Sequence, residues 1–229
     1  MVYFTCIMYF GNLPEEYLLT MIDTERHELA VSDQYLLFGL SGAILLELTV
    51  EGRVAFESKN VVVINEEPVD DPIVQEAFEL ILAEEKVRSA LYWVRRLSKD
   101  IDNLKRRVIS HLVDREIIEV REESRFLIFK TEKFQIKEPE KEKIIKEHIR
   151  DIVDQKEESD PRALGFLSLI YATGASSQIF SEEELEEYLQ NIRAIVKDEE
   201  VGHSISESIQ LIIDALMRTQ IINYNQFMM

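Results

Sequence analysis

The sequence contains one cysteine and few glycine or proline residues. Its 229 residues include 1 Cys, 7 Gly and 5 Pro. One cysteine, Cys6, permits no internal disulfide bond, which excludes a disulfide-stapled fold and favours a reducing compartment. We expect Cys6 to be a small buried hydrophobic residue. Because strand-rich domains use glycine and proline in many turns, the shortage of both favours a helical fold.

The short motifs of common enzyme chemistry are also missing. The sequence has no glycine-rich phosphate loop, no cysteine pair with metal-ligand spacing and no Gly-x-Ser-x-Gly elbow. Glu200 and His203 lie three residues apart, as in half of a helical di-metal site, but the second half is absent. No acidic residue has a context that marks it as a general acid or base. We therefore predict a protein that is not an enzyme, with no catalytic residue, metal or cofactor.

Neither a signal peptide nor a membrane-spanning helix is indicated. Residues 1–10 are apolar but lack a basic start and a small-residue cleavage site, so they predict an ordered first strand or helix lead-in. The main apolar run, residues 35–48, is about fourteen residues long, whereas a span needs roughly 20. Together with the lone cysteine, these features predict a cytoplasmic protein.

The most hydrophobic part of the chain predicts a central helix. Ser32 or Asp33 can cap a helix, and residues 35–48 then contain no charged side chain except Glu47. An amphipathic surface helix would present polar side chains at every third or fourth residue. We therefore expect neighbouring elements to cover this helix on most sides.

Two glycines and a following hairpin accompany the central helix. Gly39 and Gly42 each cost a helix about 1 kcal/mol relative to alanine, which indicates close approach by a neighbouring element. Two β-like runs follow, residues 54–57 and 60–64, with a short turn between them. They predict a hairpin that leaves the buried helix.

Amphipathic helices are predicted along the rest of the chain. Apolar residues recur there at spacings of three and four, and Ser181 with Glu184 forms a capping box. The predicted helices cover residues 13–20, 73–82, 89–98, 101–115, 140–153, 162–175, 181–197 and 204–219. No fixed-period repeat or low-complexity linker divides the chain. The pattern predicts a mainly α, single globular domain, residues 1–229, in which amphipathic helices and short β-hairpins surround the central helix.

Charge is distributed unevenly. With 26 basic and 44 acidic residues the net charge is −18, which disfavours nucleic acid and anionic lipid on average. Residues 86–115 are the exception, because they hold nine basic and three acidic residues. This segment is the place to look for an anionic ligand.

The end of the basic segment allows a second interpretation. Residues 101–115 form the clearest amphipathic pattern, with Lys105, Arg106 and Arg107 at the edge of the apolar stripe. Residues 116–138 then alternate as in a hairpin. A helix followed by a hairpin is also the order of a winged helix, so nucleic-acid binding is the alternative function, made unlikely by the net charge.

A series of motifs resembles the Golgi phosphoprotein 3 family, in order and over nearly the whole chain. The motifs are Leu13-Pro14-Glu15-Glu16-Tyr17-Leu18-Leu19, Ser32-Asp33, Gly39-Leu40-Ser41-Gly42-Ala43-Ile44-Leu45-Leu46-Glu47-Leu48, Gly52-Arg53-Val54, Asp71-Pro72-Ile73, Trp93-Val94-Arg95-Arg96-Leu97 and residues 108–118. The resemblance implies a mostly helical domain without catalytic activity. It also implies binding of phosphatidylinositol 4-phosphate and, in eukaryotes, adaptor work that retains glycosyltransferases at the Golgi.

This chain departs from the headgroup site that the resemblance implies. Ser32 stands where the family has a tryptophan, and Ser41 replaces the arginine of its Gly-Leu-x-Gly motif. Of two arginines spaced three apart on the basic helix, the first is replaced by Asp102 and the second by Lys105. Glu51 replaces an arginine after the central helix. At about 1 kcal/mol per charge near an anionic surface, the loss of two cations and the gain of one anion remove on the order of 3 kcal/mol.

These features predict a peripheral-membrane or adaptor-type binding domain with weakened headgroup affinity, or a purely protein-interaction module. The candidates for headgroup or anion binding are Lys105, Arg106, Arg107, Ser41, Ser32 and Asp102. The resemblance implies that the hairpin self-associates or touches the membrane, and Phe126, Phe129 and Phe134 are the candidates, with core packing as the alternative. We expect a protein partner and a homo-oligomer, and no nucleic acid.

Overall fold

The computed structural model describes residues 11–125, 129–154, 161–181, 184, 211–212 and 214–218. Cys6, Phe126, Glu200 and His203 lie outside the described residues, as do most of the two helices predicted after residue 181. What the sequence predicts for them stays a prediction.

Helices and short antiparallel hairpins alternate along the chain, which confirms the mainly α fold. Residues 211–212 and 214–218 are also helical. The seven longer helices are α1 (Leu13–Thr20), α2 (Asp33–Val50), α3 (Pro72–Leu82), α4 (Ala90–Asp100), α5 (Leu104–Asp114), α6 (Pro139–Val153) and α7 (Pro161–Ala172). The strands are β1 (Ile22–Asp23), β2 (Glu28–Leu29), β3 (Val54–Glu57), β4 (Asn60–Val63), β5 (Arg88–Ser89), β6 (Ile118–Arg125) and β7 (Phe129–Ile136).

The strands form three small antiparallel sheets. β1 pairs with β2, and the predicted hairpin of β3 and β4 gains β5 as a third strand. The longest ladder joins β6 to β7, with Ile118 opposite Ile136 at one end and Arg125 opposite Phe129 at the other. The sheets lie around the helices, and the buried hydrophobic residues of the described part form one core.

Helix α2 is the centre of this core, as the sequence predicts. Helices α1, α3, α4, α5 and α7 all contact it. The helix is longer than predicted, because it includes Asp33 and Gln34 before the apolar run and Thr49 and Val50 after it. Of the described helices, it alone is long and apolar enough to cross a membrane, by length and composition. However, 72% of its 18-residue window is buried within the protein.

Both glycines of α2 mark close approaches. The Tyr17 ring of α1 lies against Gly39 so closely that a Cβ at Gly39 would overlap it. At Gly42 a Cβ would lie 3.0 Å from Leu216 Cδ1 and 3.2 Å from Leu169 Cδ1. The glycines therefore let α1, α7 and Leu216 pack directly on the backbone of α2.

The one charged residue in the apolar part of α2 joins three helices. Glu47 Oε2 accepts hydrogen bonds from the backbone N–H of Leu13 at 2.8 Å and from Arg162 Nη1 at 2.7 Å. Arg162 Nη2 lies 3.2 Å from Glu16 Oε1 and donates to the carbonyl of Gly11 at 2.9 Å. Each of these three charged residues has at most 9% of its surface exposed. The cluster therefore ties α1, α2 and α7 together within the core.

In this cluster two carboxylates share one guanidinium. Burial raises the pKa of Glu16 to about 7, while Arg162 opposes the rise and Glu47 adds to it. A single arginine cannot fully compensate two buried negative charges. Glu16 therefore takes up a proton near neutral pH.

The helix predicted from residue 101 to 115 begins only at Leu104, which corrects the sequence interpretation. Ile101 ends α4 in an extended conformation and is buried. Asn103 then adopts a left-handed conformation with φ of 52°, which asparagine tolerates better than most residues. Leu104 and the apolar stripe behind it are buried as predicted. Ile101 matches the apolar periodicity of α5 because it packs into the same core, although it belongs to the end of α4.

We predict that Gly39→Ala lowers the free energy of unfolding by about 1 to 3 kcal/mol, because the new methyl group must displace the Tyr17 ring. Urea denaturation measures this difference. Gly42→Ala is the matched control and should cost less, because the ends of leucine side chains can move aside. A Gly39→Ala protein as stable as the parent would contradict the close approach of α1 to α2.

We also predict that Glu16→Gln flattens the pH dependence of stability. A carboxyl whose pKa is raised by folding contributes stability below its unfolded pKa near 4.5, and this contribution is lost as the pH rises through about 7. The parent should therefore lose about 2 kcal/mol more than the variant between pH 5 and pH 8. Urea denaturation at both pH values tests this, with the exposed Glu57→Gln as control. Parallel profiles for parent and variant would argue against a protonated Glu16.

Candidate anion-binding site

A groove of about 760 Å³ lies beside α5 and contains several of the predicted site residues. Asp33 and Leu37 of α2 form one wall, and strands β6 and β7 form another. The turn between α4 and α5 and the first residues of α5 complete it. We call this depression the α5 groove.

The structure brings together positions that are about seventy residues apart in the sequence. Ser32 is the exposed N-cap of α2, directly before Asp33 in the groove wall. Asp102, Lys105 and Arg106 line the groove from the other side. Three of the positions at which the resemblance implies a headgroup site, those of Ser32, Asp102 and Lys105, thus lie around one depression.

Two other predicted residues do not join the groove. Ser41 is fully buried, and its hydroxyl donates to the carbonyl of Leu37 at 2.8 Å. Arg107 forms an ion pair with Glu76 of α3, on another side of α5. Neither residue therefore presents a donor to a ligand in the groove.

Lys105, the one cation at a headgroup position, is already bound to carboxylates of the protein. Its Nζ atom lies 2.8 Å from Asp33 Oδ1 and 3.5 Å from Glu132 Oε2. The side chain is only 22% exposed. Neither partner could be predicted from the sequence, because opposite charges on distant elements carry no local signal. An anionic ligand would have to displace these carboxylates to reach Lys105.

The charges of the groove do not favour an anion. Three cations line it, Lys99, Lys105 and Arg106, against four carboxylates, Asp33, Asp102, Glu122 and Glu132. Recognition of a phosphorylated headgroup needs several Arg or Lys donors that converge on one point. The arrangement suits a ligand of mixed charge better than a densely charged phosphate.

The hairpin beyond the groove is held to the body of the protein by Phe134. This residue is 2% exposed, and its backbone N–H donates to the carbonyl of His27 at 2.8 Å. Lys133 adds an ion pair with Glu28 at 2.8 Å. Phe134 is therefore a core residue, which is the alternative that the sequence left open for it. Phe129 begins β7, and its side chain lies outside the described residues.

Helix α5 and the β6–β7 hairpin follow one another as in a winged helix. However, most basic residues of α5 and its end form ion pairs within the protein. Lys105 and Arg107 are ion-paired, and Arg115 pairs with Glu15 of α1. These pairs leave few charges of α5 for a nucleic-acid backbone. Nucleic-acid binding stays a prediction of the sequence pattern.

A second depression, of about 520 Å³, is lined by acidic residues at the junction of α1, α3 and α5. His111 Nδ1 lies there 3.8 Å from both Glu15 Oε1 and Asp71 Oδ2. Burial raises the pKa of the Glu15 carboxyl, and the adjacent Arg115 opposes the rise. Within the described part of the chain, no three His, Cys, Asp or Glu residues are placed to hold a metal ion.

The fold and the open groove define a helical binding domain. The sequence matches the family model described as Golgi phosphoprotein 3 (GPP34) over residues 13–215. The chain therefore belongs to the Golgi phosphoprotein 3 family, in agreement with the resemblance drawn from its motifs. In general this family consists of non-enzymatic lipid-binding and adaptor proteins that associate peripherally with the Golgi membrane.

We predict that Asp33→Asn combined with Glu132→Gln strengthens binding to anionic vesicles by on the order of tenfold, because it frees Lys105 and removes two negative charges from the groove. Co-sedimentation with vesicles measures the change. The matched control, Glu57→Gln with Glu66→Gln, alters the net charge equally outside the groove. Equal gains in both double variants would mean that only net charge matters.

Proposed function

We propose that this chain is a non-enzymatic adaptor domain, residues 1–229, that contacts an anionic membrane by general charge attraction and binds a protein partner. It works at the cytoplasmic face of that membrane. Its α5 groove does not select phosphatidylinositol 4-phosphate. The observation that carries the proposal is the capture of Lys105 by Asp33 and Glu132.

The energetics of the groove support this proposal. A phosphoinositide headgroup gains its affinity from charge-assisted hydrogen bonds to converging cations. Here the remaining cation of the site must first leave Asp33 at 2.8 Å, and Asp102 lies where a second cation would have to be. A headgroup would lose these interactions without gaining an equivalent set. Weak, unselective attraction to anionic lipid remains.

A protein partner fits the groove better than a headgroup does. The groove is about 760 Å³ and mixes carboxylates and cations with apolar side chains such as Leu37, Ile109 and Val113. Protein surfaces offer both charges and apolar atoms together, which is the composition of a usual protein–protein contact. Self-association through Phe126 and Phe129 stays a prediction of the resemblance.

Vesicle co-sedimentation at low salt tests the proposal. The three samples are neutral vesicles, vesicles with phosphatidylserine, and vesicles with phosphatidylinositol 4-phosphate at the same total charge. We expect pelleting with both anionic types to the same extent, lost as the salt concentration rises, and none with neutral vesicles. Preferential pelleting with phosphatidylinositol 4-phosphate would contradict the proposal that the groove does not select this lipid. No pelleting with any vesicle would overturn the membrane role.

A further inference from the structure

The ion pairs of the structure divide the nine basic residues of segment 86–115 into two groups. Five are paired with carboxylates: Arg88, Arg96, Lys105, Arg107 and Arg115. Within the described part of the chain the other four, Lys86, Arg95, Lys99 and Arg106, form no ion pair. The positive charge of this segment is therefore available at fewer positions than the sequence suggests.

Two of the unpaired residues lie together on α4. Arg95 and Lys99 are four residues apart, so they share one face of the helix. Both line a depression of about 710 Å³. The carboxylates of this depression, Glu84 and Asp100, are bound by Arg96, and Glu84 also by Arg88. The charges of Arg95 and Lys99 are consequently not compensated by these neighbours.

Lys99 connects this depression to the α5 groove, because it lines both. Arg106 lines the α5 groove and is exposed. Arg95, Lys99 and Arg106 thus form a continuous series of cations across α4 and the start of α5, which we call the basic strip. Asp102 is exposed in the turn between them and, among the described residues, has no cationic partner to neutralise it.

We propose that the basic strip is the surface by which this chain contacts an anionic membrane. This inference rests on the proposed membrane role and locates it on α4, outside the headgroup positions. Lys99 and Arg106 line the α5 groove together with four carboxylates, and Arg95 lines only the other depression, so the three cations do not share one pocket for a single phosphate group. A surface that carries many negative charges can satisfy all three at once. The strip therefore recognises lipid charge and not headgroup identity.

The overall acidity of the chain does not prevent this contact. At physiological ionic strength charges are screened over about 8 Å, so the membrane responds to the nearest side chains and not to the net charge of −18. The rest of the chain is acidic, so an anionic membrane repels it and disfavours orientations that turn it toward the lipid. The face that carries the strip can therefore approach the lipid in spite of the net charge.

The test compares Arg95→Gln/Lys99→Gln with the parent on vesicles containing phosphatidylserine. Each basic residue near such a surface contributes about 1 kcal/mol, which is about fivefold in partition coefficient, so the double variant should bind about 25-fold more weakly. Lys86→Gln/Lys143→Gln removes the same charge from exposed positions outside the strip and should bind within about twofold of the parent. Asp102→Asn should strengthen binding by up to about fivefold.

The outcomes separate this inference from the proposed function. If the parent binds and the two double variants bind equally well, the membrane role is supported, but the basic strip is not the contacting surface. If the parent does not pellet with any anionic vesicle, the proposed membrane role and the basic strip are both contradicted. Circular dichroism and thermal melting of each variant establish that it folds, and Asp102→Asn tests the strip in the opposite direction, by a gain of binding over the parent. Unchanged binding of Asp102→Asn would also count against the strip.

Discussion

Helix α2 must be covered on nearly every side, and the rest of the structure follows from this requirement. Its apolar residues leave no face for water, so five other helices pack on it. Gly39 allows a close approach of α1, and Glu47 supplies a polar connection inside the core. Because Arg162 and the N–H of Leu13 satisfy Glu47, a charged residue can occupy a helix that otherwise excludes charge. The same bonds fix the positions of α1 and α7.

The position of α2 also determines the charge of the candidate site. The helix reaches the surface at Asp33, close to the start of α5, and this proximity allows Asp33 to capture Lys105. An acidic protein offers many such partners, so most cations of the basic segment are neutralised internally. What remains for a ligand is decided by which cations lack a carboxylate nearby. In the basic segment those are Lys86 ahead of β5, two residues of α4 and one at the exposed edge of α5. We propose that the cations of α4 and α5 attract an anionic surface without selecting a headgroup.

Several elements could be predicted from local pattern because their cause is local. The β3–β4 hairpin, the Pro14 start of α1 and the capping box of Ser181 with Glu184 depend on residues close in sequence, and all three are present. Predictions failed where a distant contact decided the outcome. Ile101 fitted the apolar period of α5 but ends α4. The sequence left open whether Phe134 is exposed or buried, and it lies in the core because β7 docks on the β1–β2 turn. Periodicity reports that a side chain is buried, not which element carries it.

The sequence by itself determined the family, the mainly helical fold and the central apolar helix, because hydrophobic pattern and motif order are properties of neighbouring residues. It also identified the region that holds the basic residues. Only the tertiary structure decided which of them are free, since ion pairing acts between side chains within about 4 Å whatever their separation in the chain. Lys105 and Lys99 look equivalent in the sequence. Folding places one between Asp33 and Glu132 and leaves the other exposed to solvent.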